Sequence, residues 1–347
     1  MVEKPYISVI ITAFNRKNYL LYAVDSVLNQ TISKEMYEII VIKNFEDAEI
    51  DRYLESKNVR NIKIDDMPVG KYLAEGILNS KGEICCFLDD DDAFLPVKLE
   101  RVYNIFAHNE SLVYYRHTFE VSRNDFDLLT PYREIHNNRE AEIYYKPKNI
   151  KQMVSLISKR KIALNMSTIS IRKKFYENFI PILAEIKIMP DLSFFLFYVF
   201  SSSSSETFAL DSNSLSVYRV HPSSTQYEKK ISDLNFKTKA VRNTELHLNA
   251  TALLIRYFDC LGRSVKGGES VVCQYLLLSG AGWRVQLNLL QGQKTSISDI
   301  LNSLKIGIYR NSMIVIAGTF LALLGNIFLS KAISSMFLKI MKEIQGI

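Results

Sequence analysis

Short, uniformly apolar runs alternate with helically spaced apolar positions through the first hundred residues. Ile7-Ser8-Val9-Ile10-Ile11 reads as a strand buried on both faces, and Leu20, Leu21, Val24, Val27 and Leu28 then recur at helical spacing. Glu38 to Ile42 is a second strand, followed by a short helix through Ile50, Tyr53 and Leu54. A weaker strand is expected at Asn61–Asp65 and a helix over Gly70–Asn79. A turn at Ser80-Lys81-Gly82 then feeds Glu83-Ile84-Cys85-Cys86-Phe87-Leu88. Strands alternating with helices of this length predict βαβ units: an α/β, Rossmann-like, mainly parallel sheet flanked by helices. Ligands of such sheets bind outside the carboxyl ends of the strands, so chemistry is expected just after Ile11, Ile42, Asp65 and Leu88.

The middle of the chain is less regular. Strands are expected at Leu112–Tyr115 and Ser167–Ile171, a helix over Asn149–Arg160, an apolar segment from Leu192, and a loop at the five serines 201–205. After Tyr227 long helices take over, at 235–261 and 270–291. Met313–Leu329 is a run of 17 residues without formal charge, spanning about 26 Å as a helix against a bilayer core of about 30 Å. Two regions are therefore expected: 1–226, carrying the α/β fold, and 227–347, helical and membrane-associated through 313–329, which lies on the surface or crosses it once; a buried core helix is the third reading of that segment.

Composition changes this picture little, and charge changes it more. The chain is 48% hydrophobic and 23% charged, which excludes disorder as the main state. Residues 228–347 hold 15 Lys and Arg against 7 Asp and Glu, whereas the preceding residues are net −2. Positive charge concentrated in the more apolar third fits an anionic membrane surface better than nucleic acid. Cys85, Cys86, Cys260 and Cys273 show no metal or framework spacing, and they read as reduced thiols. With no signal-peptide pattern at the N-terminus, the cytoplasmic face of the membrane is the expected location.

Asp89-Asp90-Asp91-Asp92 directly follows the apolar strand ending at Leu88. A run of acids is ordinarily a solvated patch. At the carboxyl end of a buried strand, however, four carboxylates repel one another unless a cation is near. Oxygen ligands spaced i, i+2 at a turn can face one ion, matching Mg²⁺ or Mn²⁺.

Ser8-Val9-Ile10-Ile11-Thr12-Ala13-Phe14-Asn15-Arg16, with Ser26 to Thr31, resembles the opening of family-2 inverting glycosyltransferases of GT-A fold. Gly82-Glu83-Ile84 through Asp92 and Pro96 resembles the same family's Asp-x-Asp segment. The resemblance implies that Thr12, Ala13 and Phe14 line a nucleotide site. It also implies that Asp89, Asp90 and Asp91 meet the ribose and the diphosphate-bound metal, with Asp89 and Asp91 as ligands. Met189-Pro190-Asp191-Leu192 resembles the segment whose aspartate is the general base, although Pro190 stands where the family has an acid. Asp191 can equally cap the helix that follows. Tyr218 to Ser224 resembles the late Arg-x-His segment, placing Arg219 and His221 near the diphosphate. One departure is plain: where the family has two aspartates after the second strand, this chain has Lys43 and Asn44. Asn44 is the remaining group there able to donate and accept.

The function implied is inverting transfer of a sugar from a nucleotide-diphosphate sugar to an acceptor hydroxyl or phosphate, free or lipid-linked, with Mn²⁺ or Mg²⁺ as cofactor. A non-catalytic nucleotide-sugar-binding or membrane-assembly subunit of the same fold is the alternative. A sugar nucleotidyltransferase is a third reading, disfavoured because Thr12 to Arg16 lacks glycines. The sequence separates neither donor nor acceptor.

Overall fold

The computed structural model describes residues 4–65, 68–122, 139–221, 233–260 and 267–328, together with 336, 337, 339 and 341. Pro222 to Ser224 of the late motif, the boundary at 226 and Leu329 lie outside the described residues.

The elements run β1 (Ile7–Ala13), α1 (Leu20–Leu28), β2 (Tyr37–Lys43), α2 (Ala48–Ser56), β3 (Arg60–Lys63), α3 (Val69–Asn79), β4 (Ile84–Asp89), β5 (Ala93–Phe94), α4 (Lys98–Ala107) and β6 (Leu112–Ser122). They continue through β7 (Glu142–Tyr145), α5 (Ile150–Ser158), β8 (Ile169–Arg172), α6 (Lys173–Tyr176), α7 (Ile180–Leu183), α8 (Pro190–Ser201) and β9 (Thr207–Arg219). Four helices close the chain: α9 (Asp233–Tyr257), α10 (Gly267–Gln291), α11 (Ile297–Arg310) and α12 (Met313–Phe328).

Two compact units result. The first takes residues 1–146 and 162–224 and holds all nine strands, in the order β3-β2-β1-β4-β8-β6-β9-β5 with β7 on β9. The Rossmann-like half expected from the sequence is present: β1 pairs parallel with both β2 and β4, and β2 with β3. The other half is mixed, because β8 runs antiparallel between β4 and β6, while β6 and β9 are parallel. Strand β1 is central, and its Ile7, Val9, Ile10, Ile11 and Ala13 are fully buried. A strand covered on both faces has no polar side to alternate with, hence its uniformly apolar sequence. The turn before β4 passes so close to β1 that a Cβ on Gly82 would lie 2.5 Å from the Ser8 amide nitrogen. Only glycine fits there, and β4 is thereby held in register beside β1.

The second unit takes 225–347 and also residues 147–161. Dividing the chain at 226 leaves α5 with the sheet, but α5 packs on α10 and α11. The reason is its apolar face of Ile150, Met153 and Val154, which is buried. Within the same unit α12 buries Thr319, Leu321 and Ala322, with Phe337 and Met341 in the same cluster. Among the described residues no helix is long and apolar enough to cross a membrane, so the single-span reading of 313–329 finds no support. Cys260 and Cys273 are joined by a disulfide with Cα atoms 5.2 Å apart. That corrects the expectation of four thiols: the α9–α10 hairpin brings together two cysteines whose sequence spacing gave no sign of it. Only Cys85 and Cys86, buried in β4, are free, and cysteine usage no longer argues for a reducing compartment.

Candidate active site

The carboxyl ends of β1 and β4 lie side by side, with Thr12 opposite Asp89, and the Thr12 carbonyl accepts from the Asp90 amide at 3.2 Å. Four acids therefore turn at the sheet's edge next to the loop after β1. Each has a different environment. Asp90 is fully buried and receives the Arg16 guanidinium in a two-pronged contact, at 3.3 Å from Nε to Oδ2 and through Nη2 to Oδ1. Asp91 takes Nη1 of the same arginine, and its Oδ2 also lies 3.0 Å from His221 Nε2. Asp92 points inward, where Oδ2 accepts from Ser167 Oγ at 2.6 Å and Asn165 Nδ2 at 3.1 Å, and Oδ1 from the Arg219 amide at 3.2 Å. Asp92 is thus the structural member of the run. Asp89 keeps a solvent-accessible edge while its amide donates to Ser167 Oγ at 3.1 Å.

Burial first, and then the other three acids, drives the Asp89 carboxyl well above the ordinary range, with Arg16 acting in the opposite sense. Burial likewise raises Asp90, opposed chiefly by Arg16, and raises Asp92 with help from Asp91. The cluster carries more negative charge than Arg16 neutralises, and a further cation would lower its energy.

Arg219 and His221 reach the same acids from the end of β9. Arg219 Nε donates to the Asp91 carbonyl at 3.1 Å, its guanidinium lies 4.5 Å from the Tyr19 ring centroid, and the His221 ring lies 4.8 Å from that of Tyr19. The expected pair is therefore assembled on Asp91, with both side chains buried.

At the tip of β2, Lys43 is buried and turned to Asp51 at 3.0 Å, and its Nζ also donates to the Phe45 carbonyl. Asn44 exchanges two hydrogen bonds with Asn15, accepting from its amide at 2.8 Å and donating to its Oδ1 at 2.9 Å. Asn44 thus pins the loop after β1. Ala13 is buried opposite Lys43. Phe14 is 45% exposed, edge-on to Tyr72 at 5.9 Å, leaving a bare ring at the mouth of the strand ends.

Asp191 lies in the first turn of α8 and retains partial exposure. Burial pushes its carboxyl up to about 6, moderated by the Leu192 amide, the Asn165 amide and its own. It both meets helix-end amides and is tuned toward the range of a base that works near neutrality.

Three groups escaped the sequence reading. Arg16 stood in the quoted motif without a role. Lys98, fully buried on α4, donates to the Ser167 carbonyl at 2.7 Å, and burial lowers its amine to about 7. Asn165 adopts a left-handed backbone (φ +66°), caps the 3₁₀ turn Met166–Thr168 through the Ser167 amide, and touches both Asp92 and Asp191. An asparagine ahead of a Ser-Thr pair is the one signal that pointed to such a turn.

For a divalent ion the donor chemistry is suitable: carboxylate oxygens of Asp89 and Asp91, the His221 imidazole, and a local excess of negative charge. Among the described residues, however, no three His, Cys, Asp or Glu side chains already surround one point. Arg16 occupies the Asp91 oxygen that such an ion would share with His221.

Residues 8–179 match the family model described as glycosyl transferase family 2. The chain belongs to this family. The minor teichoic acid biosynthesis protein GgaA of Bacillus subtilis is 31% identical over 157 residues, which are 37% of this family-2 chain and 34% of that protein. The chain thus spans about a third of the length of this relative. In fold it is similar to Staphylococcus aureus TarS 1–349 in complex with UDP-GlcNAc, with TM-score 0.58 and 13% identity over 96% of this chain and 91% of that one. The Pyrobaculum calidifontis mannosyltransferase PcManGT, in complex with GDP-Man and Mn²⁺, aligns with TM-score 0.51 and 10% identity over 94% and 88%. These two likenesses establish the GT-A-like α/β fold with a helical C-terminal region.

Proposed function

We propose that this family-2 chain transfers a sugar from a nucleotide-diphosphate sugar to an acceptor hydroxyl or phosphate, with inversion at the anomeric carbon. The observation that carries the reading is the meeting of Asp91 with His221 and Arg219 beside the tips of β1 and β4. Thr12, Ala13, Phe14 and Asn44 would line the nucleotide side, while Asp90, expected there from the sequence, is buried and would act by holding Arg16. Asp89 and Asp91 would hold Mn²⁺ or Mg²⁺, which when bound supplies positive charge against the donor diphosphate. Arg219 and His221 would add donors on the leaving-group side. Asp191 would accept the proton of the acceptor hydroxyl as its oxygen attacks, and a carboxyl near pKa 6 is mostly ionised at neutral pH. For a phosphate acceptor no strong base is required, and Asp191 would orient the acceptor instead.

The relatives make a cell-surface glycan, free or lipid-linked, the acceptor class to try first. A membrane surface is the proposed setting. In the helical unit Leu301 and Ile308 of α11, and Phe320, Leu323 and Leu324 of α12, are exposed in a part of the chain with surplus positive charge. Release of the protein from membranes by a low-salt wash alone would remove that setting.

The test of the enzyme is a screen of nucleotide sugars for Mn²⁺-dependent release of nucleoside diphosphate. Turnover should vanish in Asp89→Ala and Asp91→Ala. Turnover at the wild-type rate in either would sink the site. Donor binding without release under any condition would favour the non-catalytic subunit.

A further inference from the structure

The helical unit holds a half-open cavity of about 150 Å³ between α10, α11 and α12, lined by none of the candidate active-site residues. One wall is apolar: Val285, Leu289, Ile306, Val315, Gly318 and Phe337. At its rim stands Arg310, half-buried, whose Nη2 donates to two neutral hydroxyls, Tyr275 Oη and Ser279 Oγ, each at 3.1 Å. Among the described residues no carboxylate lies within ion-pair distance of Arg310, whereas Arg284 on the same helix layer is paired with Asp299. Burial first, and Arg310 second, hold the His247 imidazole below its ordinary range. His247 stacks at 4.4 Å on Trp283, which itself lines the cavity.

An unneutralised guanidinium is costly at the edge of a low-dielectric space, and an anion repays that cost. Apolar walls repay a short hydrocarbon segment in the same ligand. Combining these, we propose that the helical unit binds a small amphiphilic anion, a phosphate or carboxylate head on Arg310 with an apolar tail of about six to ten non-hydrogen atoms in all. The size follows from cavities of this volume admitting a benzene-sized guest. The ligand could be a free metabolite or the head and first carbons of an anionic lipid, and it is separate from the sugar donor.

Trp283 is the only tryptophan of the chain, so emission of the full-length protein excited to the red of its 19 tyrosines comes from beside this cavity. n-Butyl phosphate should quench it saturably, with 1-pentanol and inorganic phosphate at least about tenfold weaker, since each lacks one half of the match. Arg310→Gln should weaken n-butyl phosphate by about tenfold or more. Gly282→Val should abolish the response by filling the space, because a Cβ there meets only Ile306 at 3.7 Å and Ser303 at 4.0 Å, ordinary contacts. If soluble n-butyl phosphate is silent but phosphatidic acid in phosphatidylcholine vesicles gives the Arg310-dependent response, the ligand is lipid-borne. No response to either probe, or a response surviving in both folded variants, overturns the proposal. Circular dichroism of both variants separates loss of binding from loss of fold.

Discussion

Asn165 joins the acid run to the candidate base, so its replacement should be felt in stability and in turnover together. In Asn165→Ala two side-chain hydrogen bonds are lost. One is to the Asp92 carboxylate at 3.1 Å and the other caps the Ser167 amide at 2.8 Å. A bond to a charged group is worth about 1.5–3 kcal/mol and a cap about 1 kcal/mol. Alanine must also adopt φ +66°, adding about 1–2 kcal/mol of strain. The sum is about 4–6 kcal/mol, or a fall in the first unit's Tm on the order of 10 °C. Asn165→Gly relieves the strain but lacks the same two bonds, so it should recover only about 1–2 kcal/mol of that loss. The Asn165 amide also donates to Asp191, and a turn that shifts would carry the base with it. At a temperature where both variants are folded, kcat should therefore fall in Asn165→Ala with donor KM less affected. Calorimetry and initial rates on wild type, alanine and glycine variants check this. An alanine variant within about 0.5 kcal/mol of wild type, or one no less stable than the glycine variant, would refute the reasoning.

Other consequences are as direct. Asp191→Asn should lower kcat for a hydroxyl acceptor by about 10²-fold or more. The wild-type rate should rise with pH through about 6 as Asp191 loses its proton, and a flat profile between pH 5 and 7 would remove it as base. Lys98 holds a folded pKa of about 7 against 10.5 unfolded, so between those values the unfolded chain binds more protons and stability rises with pH, by at most about 1.4 kcal/mol per unit. Lys98→Met should abolish that rise, which denaturant titrations at pH 7 and 9 would show. Reduction of Cys260–Cys273, separated by 13 residues, should cost the helical unit about 3 kcal/mol, visible as a reductant-dependent loss of its Tm with no change in a Cys260→Ser, Cys273→Ser double variant.

The legible half of the sheet was the half whose strands are buried on both faces. Runs such as Ile7–Ile11 and Ile84–Leu88 show themselves by composition, and their parallel pairing follows from the helices between them. The mixed half did not show itself, because β8 reaches β4 and β6 across more than fifty residues and no local pattern encodes that pairing. The site divides the same way. Acids after a buried strand are visible as letters. The partition of that run into inward Asp92, Arg16-bound Asp90 and His221-facing Asp91 depends on residues from three distant segments. Lys98 gave no signal, since nothing in its neighbours' identities says that its amine meets the Ser167 carbonyl. The two bonded cysteines were equally silent, being made neighbours by a helical hairpin.

Helix α5 has a consequence for how the protein is made. It leaves the ribosome between β7 and β8, yet α10 and α11, the helices against which its unit packs it, follow more than a hundred residues later. Until they emerge, an apolar face worth about 5 kcal/mol stays in water. A chain stopped near residue 226 would keep that face bare, so such a fragment should be sticky even with the acid run after β4 correctly placed.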